Sequence, residues 1–382
     1  MSDTLYDVAV VGGGIGGSAA ALRAAQHNLR TAWLLGDAAT AKASRAKYVY
    51  NVDNMVGVHP SIVQKKLVTL LSAPEHAAAR KLVEEAHLHV GTQDMVDEVV
   101  SRIRDQFAHV EILPNKVTVA SRDGETFLLQ TEAGTVRARH VVLATGVMDR
   151  QPRIKVTTKS GKLIDDVNWV YPYANNETLL YCVICEGHLT RESPTVVFGA
   201  SEAAAQVALM LHERYGTRVS LLTNGEPLAA SEDSRRLFQL YGVLVSEERV
   251  VEVLDGGARP RGASLRGFRL EDGREIEARF ALVTMGLHRV YNELAIQLGA
   301  ELDERDGPAE SRHVLVDETT SETSVRGLFA VGDMSRRRGA APSFKQIYTA
   351  QEFAVRGIQA VDRRVRAARR AALLAGPSRE SQ

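Results

Sequence analysis

An apolar run at residues 6–11 empties directly into the glycine cluster Gly12-Gly13-Gly14-Ile15-Gly16-Gly17, and an alanine-rich stretch follows at 18–26. The order is strand, tight turn, helix. A second apolar run at 31–35 completes a βαβ unit and commits the chain to a parallel sheet. Gly12, Gly14 and Gly17 have the spacing in which the first glycine permits the turn, the second admits a pyrophosphate close to the backbone, and the third lets the helix pack tightly on the strand. The helix start adds N–H groups and positive potential, so an adenine dinucleotide is the expected ligand. Asp37, about 20 residues beyond Gly17, stands where a carboxylate would reach ribose hydroxyls.

The same plan restarts later. Residues 195–198 read as a strand, Gly199 opens a turn, 203–213 read as a helix and 219–222 as the next strand. Between the two units, helices are expected at 61–71 and 74–86, then a β-meander around Asp123-Gly124 and Ala133-Gly134 that ends in the buried strand 141–146. A hairpin at Asp272-Gly273 and the strand 281–286 repeat that ending in the second half. The segment 327–333 needs a sheet to join, and a helix from about Ser343 follows it. The expected architecture is α/β, with two Rossmann-like three-layer nucleotide-binding domains, the second inserted in the first. Residues 1–150 and 290–382 form the first domain and 151–289 the second, with a polar, frayed tail from 376. A chain of 382 residues accommodates two such cores.

Lys plus Arg and Asp plus Glu each number 47, so no global field draws the chain to nucleic acid or to a membrane surface. No apolar run approaches the ~20 residues of a membrane helix, and the first residues lack a leader pattern. A cytoplasmic protein is expected. Its two cysteines, Cys182 and Cys185, form a C-x-x-C pair with no second pair to complete a zinc site, and no metal is expected. His87 and His89 have no suitably spaced ligands around them. A disulfide closing so short a loop restricts the unfolded chain little, which favours a redox dithiol over a structural bridge or inert packing.

Four motifs in order, GGGIGG at 12–17, ATG at 144–146, CVIC at 182–185 and GLFAVGD at 327–333, resemble the low-molecular-weight thioredoxin reductase group of flavoprotein disulfide reductases. The resemblance spans about residues 5–362. It implies that Gly12, Gly14, Gly17, Gly146, Gly332 and Asp333 hold FAD. Gln346, within Phe344-Lys345-Gln346, would border the flavin ring, and Asn54, within Asn54-Met55-Val56-Gly57, would lie beside it. By the same resemblance Cys185 takes the flavin's electrons and Cys182 is the interchange sulfur. Glu186 stands where the group usually has an aspartate as proton donor, and His188 is a further candidate for proton transfer. A thioredoxin-like protein or a small disulfide is the implied partner, and a homodimer the implied assembly.

The pattern breaks at the second nucleotide motif. The sequence Gly199-Ala200-Ser201-Glu202-Ala203-Ala204 puts Ser201 where a pyrophosphate normally meets bare backbone, and the strand ending at Leu222 is followed by Thr223-Asn224-Gly225 rather than by cations. Losing two charge-assisted hydrogen bonds to a 2′-phosphate removes roughly 10²–10⁴ in affinity. NADPH is therefore not the expected donor. These departures resemble ferredoxin-dependent flavin thioredoxin reductases and diflavin-linked disulfide oxidoreductases, in which a second FAD takes the place of NADPH near Gly199 and Ser201. An empty, vestigial fold is the bland alternative.

The expected function is that of an FAD-dependent thiol–disulfide oxidoreductase fed by ferredoxin or a second flavin. The alternatives are a flavin-dependent dithiol oxidase using oxygen and a noncatalytic flavin redox sensor. Two stretches stand apart. The aromatics at 168–173 either stack on a ligand or anchor a loop, and the arginines at 336–338, 363, 364, 366, 369 and 370 either dock an acidic partner or line a solvated face.

Overall fold

The computed structural model describes residues 4–42, 44–52, 54–86, 88–157, 160–259, 262–339 and 345–375. The expected helix start at Ser343, Phe344, His87 and the polar tail lie outside these residues. The chain divides into two compact units, one of residues 1–47, 92–148 and 289–382 and the other of 48–91 and 149–288. The segment 48–91 thus groups with the second unit rather than with the first. Within that unit, Asn51 Nδ2 donates to Glu177 Oε1 at 3.0 Å.

The first unit is built on a five-stranded parallel sheet in the order Leu328–Ala330, Val141–Leu143, Val8–Val11, Thr31–Leu34, Val110–Leu113. Its inner strands are buried along their whole length and apolar except for Thr31, whose hydroxyl donates to Leu29 O, because both faces are covered. Val8, Val10 and Val142 face a helical layer formed by Ile15–Gln26, Thr92–Gln106 and Ile347–Ala375, where Val99, Ile103, Phe353 and Ile358 complete the core. A four-stranded sheet holds the meander Val119–Asp123, Thr126–Thr131 and Gly134–Ala138, and the short strand Leu5–Tyr6 extends it. The first helix begins at Ile15, ahead of the alanine-rich stretch, so two glycines of the cluster already lie inside it.

The second unit repeats the plan. Its parallel sheet runs Leu179–Leu180, Phe280–Val283, Pro194–Phe198, Arg218–Leu222, Leu244–Ser246. Alternation along the central strand divides its two cores. Val197 packs with helices Glu202–Tyr215 and Glu232–Tyr241 on one face, and Val196 and Phe198 pack with Phe268 and Tyr173 on the other. Trp169 belongs to this second core, edge-on to Tyr173, Phe198 and Phe268, with its indole N–H on Pro152 O at 2.8 Å. The aromatic stretch is therefore a structural anchor. No helix among the described residues is long and apolar enough to cross a membrane.

Candidate functional site

The glycine cradle of the first unit is shaped by what a side chain would meet there. A Cβ on Gly12 would sit 2.3 Å from Ala144 O, and one on Gly17 would sit 1.9 Å from Gly12 O, so each closes the turn against backbone. Trp33, fully buried, fixes the same turn by donating its indole N–H to Gly12 O at 3.0 Å. A Cβ on Gly14 meets nothing within 4 Å. The open face therefore lies at the glycine whose backbone a pyrophosphate would approach. Helix Ile15–Gln26 begins at Gly14 with no side-chain cap and no acidic residue in its first turn. An uncapped, unopposed positive helix end beside an open glycine fits the pyrophosphate of a dinucleotide.

Two further glycines complete this end of the sheet. Gly146 has φ +74° and Gly332 has φ +73°, and the Cα of Gly332 lies 3.7 Å from the Cβ position of Gly16. The Gly-Asp pair is thereby placed against the first turn of the helix. Asp333 forms an ion pair with Arg45, Nη1 to Oδ2 at 2.8 Å. Sequence reasoning passed over Arg45, because one arginine in a polar loop carries no periodic or motif signal. Gln346 is buried and immediately precedes helix Ile347–Ala375, where its carbonyl accepts the Ala350 N–H. Asp37 Oδ1 accepts the Thr40 N–H at 2.7 Å, and this cap, led by the Thr40 hydroxyl, lowers its pKa. Asn54 lies in the segment that groups with the second unit.

In the second unit Cys182 and Cys185 are joined as a disulfide with their Cα atoms 5.2 Å apart. The pair follows the edge strand Leu179–Leu180 and opens the short helix Val183–Glu186. Cys182 is the N-cap, its Sγ accepting the Cys185 N–H at 3.1 Å. Both cysteines are half-buried, and Ile184 between them is exposed. Glu186 Oε2 accepts the N–H groups of Tyr181 and Cys182 at 2.9 and 3.0 Å, so its carboxylate fixes the backbone that carries the leading sulfur. His188 is exposed on the following turn. Gly187 is buried against helix Glu202–Tyr215, where a Cβ would come within 2.9 Å of Tyr215, so the dithiol turn rests on that helix.

The second glycine turn looks similar in sequence and differs in chemistry. Gly199 is tightly enclosed, with a Cβ position 2.6 Å from Ala204 Cβ and 2.7 Å from Thr284 O. Ser201 caps helix Glu202–Tyr215, its Oγ accepting the Ala204 N–H at 3.3 Å. Glu202 then places a carboxylate on the first turn. That carboxylate takes the Ser231 N–H at 2.6 Å, the Ser234 hydroxyl at 2.7 Å and the Gln206 amide at 2.8 Å. Asn224 spans the loop beyond the next strand, donating to Arg153 O and accepting the Val250 N–H. This end of the fold is laced by its own polar groups and already holds an anion.

The hydrogen bonds, led by the Ser231 N–H, pull the Glu202 carboxyl down to about 2. A folded-state value below the unfolded one contributes stability that is complete above the ordinary carboxylate range and is lost as pH falls through about 2. Glu202→Gln is expected to flatten the acid limb of the unfolding profile below pH ~4.5, as read by circular dichroism at stepped pH. An unchanged acid limb would remove Glu202 from this role.

The arginine clusters are mostly paired. Arg336 binds Asp303 and Asp306, Arg337 binds Glu352, Arg364 binds Glu322, Arg366 binds Asp362 and Arg369 binds Asp7. Arg366 pairs within its own helix, and the others link separate segments of the first unit, so these arginines are engaged with carboxylates of their own fold. Among the described residues, no group of three or more potential metal ligands occurs.

A family model described as pyridine nucleotide-disulphide oxidoreductase matches residues 6–354. A thioredoxin reductase of Treponema pallidum (strain Nichols) is 26% identical over 349 residues, covering 91% of this chain and 93% of that protein. A thioredoxin reductase of Mycoplasma pneumoniae is 24% identical over 348 residues, covering 91% of each. The crystal structure of thioredoxin reductase from Streptococcus pyogenes MGAS5005 has the same fold, with a TM-score of 0.69 at 18% identity over 96% of this chain and 100% of that one.

Proposed function

The chain belongs to the pyridine nucleotide-disulphide oxidoreductase family, and on that premise we propose that it is an FAD-dependent thiol–disulfide oxidoreductase acting on a thioredoxin-like protein or a small disulfide. The observation that carries this reading is the half-buried Cys182–Cys185 disulfide opening a helix beside an exposed Ile184. Such a pair is accessible to another sulfur on one side and backed by its own fold on the other. Gly12, Gly14, Gly17, Gly146, Gly332, Asp333 and Gln346 would hold FAD, which when bound would supply two electrons for reduction of this disulfide.

Once the pair is reduced, the Cys182 thiolate attacks the partner disulfide and forms a mixed disulfide, releasing one partner thiolate that takes up a proton. The Cys185 thiolate then attacks Cys182 Sγ, restoring the intramolecular bond and releasing the second partner thiol. Two electrons pass to the partner in total. Glu186 keeps the Tyr181 and Cys182 amides in place and is the carboxyl suited to deliver protons to departing sulfur, with His188 an exposed second source.

The donor in this proposal is not NADPH. Ser201 and Glu202 use up the helix start on which a pyrophosphate would lie, and Asn224 occupies the loop where a 2′-phosphate would need cations. The same carboxylate disfavours a second FAD, which makes a protein donor such as ferredoxin the better supported of the two. Purified protein is expected to carry one flavin per chain. Anaerobic NADPH is expected to leave that flavin oxidised while reduced ferredoxin or dithionite bleaches it. Fast stoichiometric bleaching by micromolar NADPH would overturn the assignment of the donor. Rapid oxygen consumption with small dithiols, together with no response to reduced thioredoxin, would favour a dithiol oxidase instead.

A further inference from the structure

The residue with the most unexplained placement is Arg45. It opens the one-turn helix Arg45–Tyr48, and the next residue is tied down where the Thr92 hydroxyl donates to Ala46 O. Its guanidinium lies 2.8 Å from Asp333 Oδ2, and both side chains are about a fifth exposed, at 23% and 22%. These two residues are 288 positions apart in sequence and meet within one unit. Their meeting point is set by Gly332, whose Cα lies 3.7 Å from the Cβ position of Gly16 in the first turn of helix Ile15–Gln26.

That location poses an electrostatic problem. A dinucleotide brings two phosphate charges to the helix start, and Asp333 stands beside it as a third negative charge. Like charges at such range oppose one another, and the glycine turn has only backbone dipoles to offer. The only basic residue in helix Ile15–Gln26 is Arg23, in its last turn. A guanidinium has donors on three nitrogens in a planar fork, so one group can bind a carboxylate on one edge and a phosphate on another.

We propose that Arg45 is a positioning residue for the flavin dinucleotide: Asp333 orients its guanidinium, and the guanidinium neutralises Asp333 and binds the pyrophosphate above Gly14. This rests on the reading that the first unit holds FAD. Asp333, relieved of repulsion, is then left to accept a hydroxyl from the dinucleotide. Loop residue and Gly-Asp motif work as one clamp.

The test is the equilibrium dissociation constant for FAD of the deflavinated full chain, followed by flavin fluorescence at low and high salt, with ADP, which keeps the adenosine and the diphosphate but lacks the flavin, as a second probe followed by calorimetry. Arg45→Ala is expected to weaken FAD and ADP alike by about 10- to 100-fold and to flatten the salt dependence. Arg45→Lys should recover part of the loss, since charge returns without the fork. Arg45→Ala and Asp333→Asn should be non-additive when combined. Wild-type affinities in Arg45→Ala, or a lower melting temperature with both affinities unchanged, would overturn the clamp while leaving the flavin reading intact. A wild-type chain that takes up no FAD would overturn both.

Discussion

Cys182→Ser protein is expected to form no mixed disulfide with a thioredoxin-like partner and to lose disulfide exchange by about 10³-fold or more. Cys185→Ser protein is expected to accumulate that mixed disulfide. The asymmetry follows from the two steps of exchange. With serine at 182 no sulfur is left in the interchange position, whereas with serine at 185 the first attack proceeds and the resolving sulfur is missing. The geometry makes the pair of variants informative, because Cys182 sits at the helix N-cap in extended backbone and Cys185 is inside the turn. Serine at 182 keeps an oxygen that can accept the Cys185 N–H, so the local fold should survive. Trapping with a partner that lacks its own resolving cysteine and whose remaining cysteine is activated as a mixed disulfide with 5-thio-2-nitrobenzoate, which leaves as the thiolate on attack, reads both variants by mass spectrometry. Adduct formation by Cys182→Ser and none by Cys185→Ser would reverse the roles.

Gly17→Ala is expected to produce a colourless, destabilised protein, and Gly14→Ala a stable one that holds flavin weakly. A Cβ at 17 would lie 1.9 Å from Gly12 O, a contact with backbone that no rotamer relieves. Helix Ile15–Gln26 must then move off its strand, and overpacking of this kind costs ~1–3 kcal/mol or more. At Gly14 a Cβ meets no protein atom within 4 Å, so the fold has no reason to respond. The methyl group instead enters the space a pyrophosphate needs. Melting curves and flavin content measured on the same preparations separate the two effects. Equal melting temperatures and equal flavin content in both variants would remove the cradle from the argument.

Much of this was legible from residue order. The strands at 8–11, 31–34, 141–143, 195–198 and 219–222 declare themselves by apolar runs covered on both faces, whereas the first helix starts three residues before the alanine-rich stretch, inside the glycine cluster. The redox pair was readable from two cysteines three apart, whereas the short helix Val183–Glu186 that it opens was not. Other features depend on meetings that a linear pattern does not encode. Arg45 acquires meaning only when Asp333 arrives from the far end of the chain. Glu202 reads as an ordinary first-turn acid until Ser231 and Ser234 are seen to converge on it. The grouping of 48–91 with the second unit depends on tertiary contacts such as Asn51 to Glu177. The arginine clusters looked like a surface field because their partners, Asp7, Asp303, Glu322 and Glu352, are scattered in sequence.

The threading of the chain also imposes a timetable on biosynthesis. The opening 47 residues belong to a unit that closes only after residue 289, and strand Leu328–Ala330 and helix Ile347–Ala375 complete its sheet and its helical cover. The dithiol unit, whose final segment ends at residue 288, has all its parts emerged from the ribosome first. Strand Val141–Leu143 therefore keeps an open sheet edge until strand Leu328–Ala330 has been made.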